Sequence, residues 1–198
     1  QPEEAPEAAS RPFSRNRRGF VVSEGAGCVI IAGRNFAAAH GLKSSLEIAG
    51  WAMTSDAHHF VAPNLETVRR CVSGSLADAG LRASEIDAVN AHGTSTRIGD
   101  KVEWEALRDV FGDRIPPVSA NKSQTGHAMG ASSAIELILA MEGMMRERVL
   151  PTINYRPDPE LPLDCVSEGT RKLEQEYVLK NAFGFGGCNA CLVLHRTA

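Results

Sequence analysis

Two short segments constrain this 198-residue chain more than any other feature: Asn90-Ala91-His92-Gly93-Thr94-Ser95-Thr96 and Asn121-Lys122-Ser123-Gln124-Thr125-Gly126-His127. Each follows a short apolar run that reads as a buried strand, Ile86 to Asn90 in one case and Pro117 to Ala120 in the other. Each leads into a helical pattern, Asp100 to Phe111 and Met129 to Arg146. Strand, glycine-bearing loop and helix, repeated, is the signature of a layered α/β sheet, where ligands bind outside the strand ends. Both loops set a histidine beside glycine and hydroxyl residues, so a ligand can approach the backbone closely. Taken singly, each histidine reads as a turn residue satisfied by backbone. Taken together, they suggest two imidazoles converging on one carbonyl. No comparably placed cysteine or serine nucleophile accompanies them.

The charged residues around these motifs have two readings each. Lys122 is either a solvated lysine or a buried one that orients a histidine through a carboxylate partner. Glu136 lies in the most apolar helix of the chain, and is the natural partner. Asp100 and Glu103 open a helix, where carboxylates suit the dipole. His58-His59 are adjacent, a poor geometry for one metal ion, and read as loop or strand-edge residues. Gly184-Phe185-Gly186-Gly187 lacks the Lys-Ser/Thr of a phosphate loop and the helix that should follow, so a glycine-rich hairpin beside a ligand fits better. Phe183 and Phe185 either pack in the core or line an acyl pocket.

The remaining pattern completes the layout. Gly19 to Val22 and Cys28 to Ala32, joined by a glycine turn, predict a β-hairpin. A short helix over Arg34 to His40, a strand over Leu46 to Met53 and a helix from Leu65 to Ala79 follow, with Gly41 and Gly80 as helix stops. Strands over Tyr177 to Phe183 and Ala190 to His195 flank the glycine hairpin. A net charge of −3 gives no general affinity for nucleic acid. No apolar run is long enough to span a membrane, and no signal segment opens the chain. The five cysteines are odd in number, and Cys188 and Cys191, though two residues apart, sit in an apolar strand without a second ligand pair. Reduced thiols in a cytoplasmic setting, with no metal site, are expected. The polar opening from Gln1 to Ser10, which lacks an initiator Met, looks like the middle of a longer chain.

These motifs, with Arg11-Pro12-Phe13, Gly19-Phe20-Val21, Gly25-Ala26-Gly27, Pro151-Thr152-Ile153-Asn154 and Asn181 to Gly187, resemble the β-ketoacyl-acyl-carrier-protein synthases, condensing enzymes of the thiolase fold. The resemblance runs from about Arg11 to the C-terminus and is closest to the elongating type. It implies a thiolase-like α-β-α layered fold, with residues 1–55 ending the N-terminal half of such an enzyme (loop, hairpin, helix, strand) and residues 56–198 forming its C-terminal half. It implies that His92 and His127 hold a malonyl thioester carbonyl, assist its decarboxylation and stabilise the enolate. Lys122 and Glu136 match the family's buried pair, with Asp100 and Gly184 in supporting places. Phe183 matches a gating phenylalanine whose backbone N–H joins the thioester oxyanion hole, and Phe185 lies beside it. Thr94 and Thr96 match contacts to the pantetheine arm. The resemblance further implies a nucleophilic cysteine outside this chain, no cofactor beyond the carrier's phosphopantetheine, an acyl carrier protein and the N-terminal half as partners, and a homodimer of the complete enzyme. Arg97 stands where proline is common, and Cys188 replaces a usual threonine. A non-catalytic chain-length-factor-like subunit, a polyketide ketosynthase and a thiolase are the competing readings. Such a half, alone, is expected to expose a large apolar face.

Overall fold

The computed structural model describes residues 5–197. In chain order its elements are helix α1 (Arg34–Ala39), strand β1 (Leu46–Ser55), α2 (Leu65–Ala79), β2 (Ala88–Asn90), α3 (Arg97–Phe111), β3 (Val118–Ser119), α4 (Lys122–Thr125), α5 (Ser132–Met145), β4 (Arg148–Val149), β5 (Arg171–Lys172), β6 (Tyr177–Gly184) and β7 (Cys188–Arg196). Five strands form one sheet in the order β1-β7-β6-β2-β3. The β1/β7 and β6/β7 pairs are antiparallel, and β6/β2 and β2/β3 are parallel. β4 and β5 form a separate two-stranded ribbon.

The layers follow from side-chain alternation along the strands. Val89, Leu179, Cys191 and Val193 share one hydrophobic cluster with Cys71, Val72 and Leu76 of α2 and Trp104 and Leu107 of α3. Their neighbours Ala88, Val178 and Leu194 point the other way, into a cluster with Ala140 and Met144 of α5. The sheet is therefore sandwiched between α2/α3 and α5, the α-β-α arrangement expected. Local chemistry sets the helix ends. The Asn64 side chain accepts the Thr67 N–H at 3.2 Å, and Gly80 ends α2 in the left-handed region at φ 70°. Thr96 accepts the Gly99 N–H at 3.1 Å and caps α3.

Three expectations need correction. The hairpin over 19–32 does not form: Val22 makes a single parallel bridge to His127, and residues 23–33 form no strand. Cys28, placed in a strand from its apolar surroundings, is exposed. The apolar run that mimicked a buried strand leaves Ile30 92% and Ile31 71% exposed. Helix α3 begins at Arg97 rather than Asp100, because Thr96 is its cap. Asp100 keeps its place in the first turn of α3, but is fully buried there rather than solvated.

Candidate active site

Strand register delivers both histidines to one edge of the sheet. Asn90, the last residue of β2, pairs with Ser119 of β3 and with Lys180 of β6. The chain leaves β2 through Ala91 to His92, and leaves β3 through the single turn of α4 to His127. Glycines let the loops close on their surroundings. Gly93 has φ 44°, and a Cβ there would lie 2.6 Å from that of Ala120. Gly126 has φ 68°, and a Cβ there would lie 2.8 Å from that of Ser23. The backbone of Val21 to Ser23 then pins His127: its N–H donates to the Val21 carbonyl at 2.7 Å, and its carbonyl accepts from Ser23 at 3.0 Å.

The two imidazole rings lie 5.7 Å apart between centroids and nearly perpendicular, at 85°. Their hydrogen-bond partners assign both tautomers. His127 Nδ1 accepts the Met129 N–H at 3.1 Å, so its proton resides on Nε2. Ser132 Oγ lies 3.1 Å from the same nitrogen. His92 Nδ1 lies 3.4 Å from the Lys122 ammonium, a group that can only donate, so this ring too carries its proton on Nε2. The result is a pair of neutral Nε2–H donors. Burial holds the His92 pKa well below its usual value, and the nearby positive charges of Lys122 and Lys180, then His127, push the same way. Burial likewise lowers that of His127, with Lys122 adding to the effect and Glu136 opposing it.

Lys122 is 1% exposed. It forms an ion pair with Glu136 at 2.5 Å and donates to the His92 carbonyl at 2.5 Å. Burial lowers its pKa to about 8 against the opposing pull of Glu136. Lys122 and Glu136 thus stand together as a buried pair. Two further members escaped the sequence. Lys180 donates to the other oxygen of Glu136 at 2.8 Å. Glu103, read above as a helix-start carboxylate, is 2% exposed and accepts the N–H groups of His92 at 2.8 Å and Gly93 at 2.9 Å. It also accepts from the Asn181 side chain at 3.0 Å, tying the His92 loop to β6. The signal that could have found both is the same: a charged residue at a position whose helix or strand pattern is otherwise buried.

Asp100 serves the segment packed behind the loop. It accepts the Phe13 N–H at 2.7 Å, while Phe13 itself is fully buried beside Gly93. Burial pushes its pKa up to about 7, despite that hydrogen bond. In the basic stretch from Arg11 to Arg18 that carries Phe13, Arg11 and Arg17 are buried, and Arg17 pairs with Asp158 at 2.6 Å.

A cavity of ≈ 750 Å³ opens in front of the imidazoles. His92, His127, Thr94, Thr96, Phe183 and Phe185 all line it, as does Gly184. Lys122, Glu136 and Asp100 stand behind this wall. Phe183 packs its ring 5.5 Å from that of His92. The Thr94 and Thr96 hydroxyls are 2.9 Å apart, and the latter also caps α3. Gly184 closes β6, and a short 3-10 turn over Phe185–Gly187 joins it to β7, the glycine hairpin expected. His59 reaches the cavity as well, its Nδ1 accepting the N–H groups of Val61 and Ala62 at 3.0 and 2.9 Å. Cys188 also lines the cavity, and all five thiols are free. Among the described residues no cluster of three or more His, Cys, Asp or Glu side chains is arranged to hold a metal ion.

The sheet thus places two neutral imidazole donors against one largely apolar cavity, an arrangement chemically able to hold a carbonyl as it gains negative charge. Comparison with known proteins gives the family. The β-ketoacyl synthase C-terminal domain matches residues 46–156. The chain belongs to the β-ketoacyl synthase family. It is 40% identical over 196 residues to 3-oxoacyl-(acyl-carrier-protein) synthase 2 of Coxiella burnetii, covering 96% of this chain and 47% of that protein. It is 40% identical over 195 residues to 3-oxoacyl-(acyl-carrier-protein) synthase 1 of Haemophilus influenzae, covering 98% of this chain and 47% of the other. Among solved structures, the ishigamide ketosynthase/chain length factor superposes with a TM-score of 0.92 at 38% identity, over 96% of this chain and 47% of that one. A type II polyketide acyl-carrier protein complexed with its hexaketide-bound ketosynthase gives 0.92 at 32% identity, over 99% and 50%. The chain thus spans about half the length of the relatives it matches. No helix among the described residues is long and apolar enough to cross a membrane.

Proposed function

We propose that this chain is the two-histidine portion of a β-ketoacyl-acyl-carrier-protein synthase, an acyltransferase that performs decarboxylative Claisen condensation. The observation that carries this reading is the tautomeric match of His92 and His127, each with Nδ1 occupied and Nε2–H free to donate. In the proposed reaction both Nε2–H groups hydrogen-bond to the thioester carbonyl of a malonyl group on acyl carrier protein. The bond between the α-carbon and the carboxylate breaks, carbon dioxide leaves, and the electron pair forms an enolate. Its oxyanion is stabilised by the two fixed donors, which need no reorganisation as charge develops. The enolate carbon then attacks the acyl thioester carbonyl on a cysteine outside this chain. That thiolate departs, and the β-ketoacyl product stays on the carrier. The Phe183 N–H serves the acyl thioester oxyanion, Phe185 lies beside the acyl chain, and Thr94 and Thr96 hold the pantetheine arm. The partners in this reading are acyl carrier protein, the cysteine-bearing half, and a second copy of the complete enzyme, in a cytoplasmic setting. No cofactor beyond the carrier's own phosphopantetheine enters.

A chain-length-factor-like role is disfavoured by the retained His92, Lys122 and His127. The deciding experiment measures carbon dioxide release from malonyl-acyl-carrier protein by the protein that joins this chain to the cysteine-bearing half. His92→Ala and His127→Ala are each expected to lower the rate by roughly 10²–10³, the usual effect of removing one oxyanion donor. A rate unchanged in either variant removes that histidine from the mechanism.

A further inference from the structure

We infer that Lys180 is a positioning residue of the histidine site: a second buried cation that shares Glu136 with Lys122, balances the charge of Glu103, and so favours a neutral, donating His92 ring. The inference rests on the two-histidine reading for its catalytic meaning, though not for its geometry.

Lys180 is out of keeping with its strand. It follows Tyr177-Val178-Leu179 on β6 and is 2% exposed. Its partner across the parallel ladder is Asn90, the residue from which the chain turns toward His92. Its ammonium donates to Glu136 Oε2 at 2.8 Å and to the Asn181 carbonyl. The opposite oxygen of Glu136 holds Lys122, which in turn faces His92 Nδ1. Asn181 also reaches Glu103 through its side chain, so Lys180 and Glu103 meet at one residue.

A buried ion triad is a poor way to gain stability, since apolar side chains of similar volume commonly do as well or better. Charge balance explains its presence here. The charged groups around His92 are Lys122 from α4, Lys180 from β6, Glu136 from α5 and Glu103 from α3, with His127 in front. Two ammonium groups face two carboxylates, and the surroundings are neutral. Without Lys180 they carry one net negative charge, which stabilises imidazolium. A protonated His92 has no lone pair for Lys122 to face, and repels it. Lys180 also lowers the pKa of Lys122 by like-charge repulsion, so losing it lets Lys122 keep its proton to higher pH. Removing the charge must therefore move both protonation steps toward alkaline pH. A lysine present only for packing would alter thermal stability and leave both steps in place.

The test compares Lys180→Met, Lys180→Gln and Lys180→Arg with wild type. His92 is followed by ¹⁵N-imidazole NMR, assigned by the signal missing from His92→Ala, and malonyl decarboxylation is measured against pH. The expected result is an alkaline shift of the His92 titration in the Met and Gln variants, an alkaline shift of both limbs of the rate profile, and wild-type behaviour in Arg. Gln keeps a hydrogen-bond donor without the charge, and covers the case in which Met fails to fold. An unmoved His92 titration in a folded Met or Gln variant overturns the inference, as does an Arg variant that shifts like Met. If wild type releases no carbon dioxide, the proposed function fails while the NMR comparison still decides the role of Lys180.

Discussion

At the scale of single residues, the site turns on which ring nitrogen carries the proton. Lys122 fixes that choice for His92 only while it is charged, and burial brings its pKa down to about 8. Malonyl decarboxylation is accordingly expected to fall as pH rises through about 8, because a neutral amine no longer forces Nδ1 to accept. The sign of the linkage separates this loss from unfolding. Between about 8 and 10.5 the folded chain binds fewer protons at Lys122 than the unfolded one, so this group makes stability rise with pH. A rate profile that stays flat to about 9.5 would count against the assignment. The histidines and Lys122 were legible from sequence because glycine, hydroxyl and strand signals lie beside them in the chain, and Glu136 because it is a charge within the most apolar helix. Lys180 and Glu103 carried only the signal of a charge at a buried position, and not their roles, which depend on what faces them from other elements. Nothing within Leu179-Lys180-Asn181 says that Glu136 will cross above it.

Among the elements, the longer helices and strands follow their local signals, and errors gather where a segment needs partners from elsewhere. α2 matches its expected span from Leu65 to Ala79, since Asn64 and Gly80 mark both ends chemically. The start of α3 was displaced because Thr96 is both a site residue and a cap. The stretch from Cys28 to Ala32 has the composition of a buried strand, but joins no ladder. Its amides are expected to exchange with solvent orders of magnitude faster than those of β6, which is paired on both sides. Hydrogen–deuterium exchange read by mass spectrometry checks this, and protection of residues 28–32 equal to that of β6 would show that the segment pairs in solution.

For the molecule as a whole, the important fact is the apolar surface left uncovered. Helix α5 covers β6, but at the sheet edge Trp51 and Met53 of β1 are 57% and 69% exposed. Phe36, Phe60 and Val61 are exposed too. Surface of this kind marks an interaction face or promotes association. The 198-residue chain is expected to self-associate or aggregate when isolated. Trp51→Asp with Met53→Asp should increase the soluble monomeric fraction, read by size-exclusion chromatography with light scattering. If the double variant associates as wild type does, other surfaces drive assembly.

The parallel ladder of β2 with β3 and β6 has a consequence in time as well as in space. His92 and His127 follow the ends of adjacent strands, and each is pinned by backbone hydrogen bonds within a residue of its ring. Their spacing is set by that ladder together with α4 and the Val21–Ser23 backbone that holds His127. Phe183 stands at the end of the same sheet, yet the chain beyond it turns through Gly184, Gly186 and Gly187 before returning in β7. Motion on the microsecond-to-millisecond scale of loop rearrangement is expected in that turn rather than at the imidazoles, and relaxation-dispersion NMR of Gly184 to Gly187 checks it. On that expectation the imidazoles are the fixed side of the cavity and the glycine turn its adjustable side.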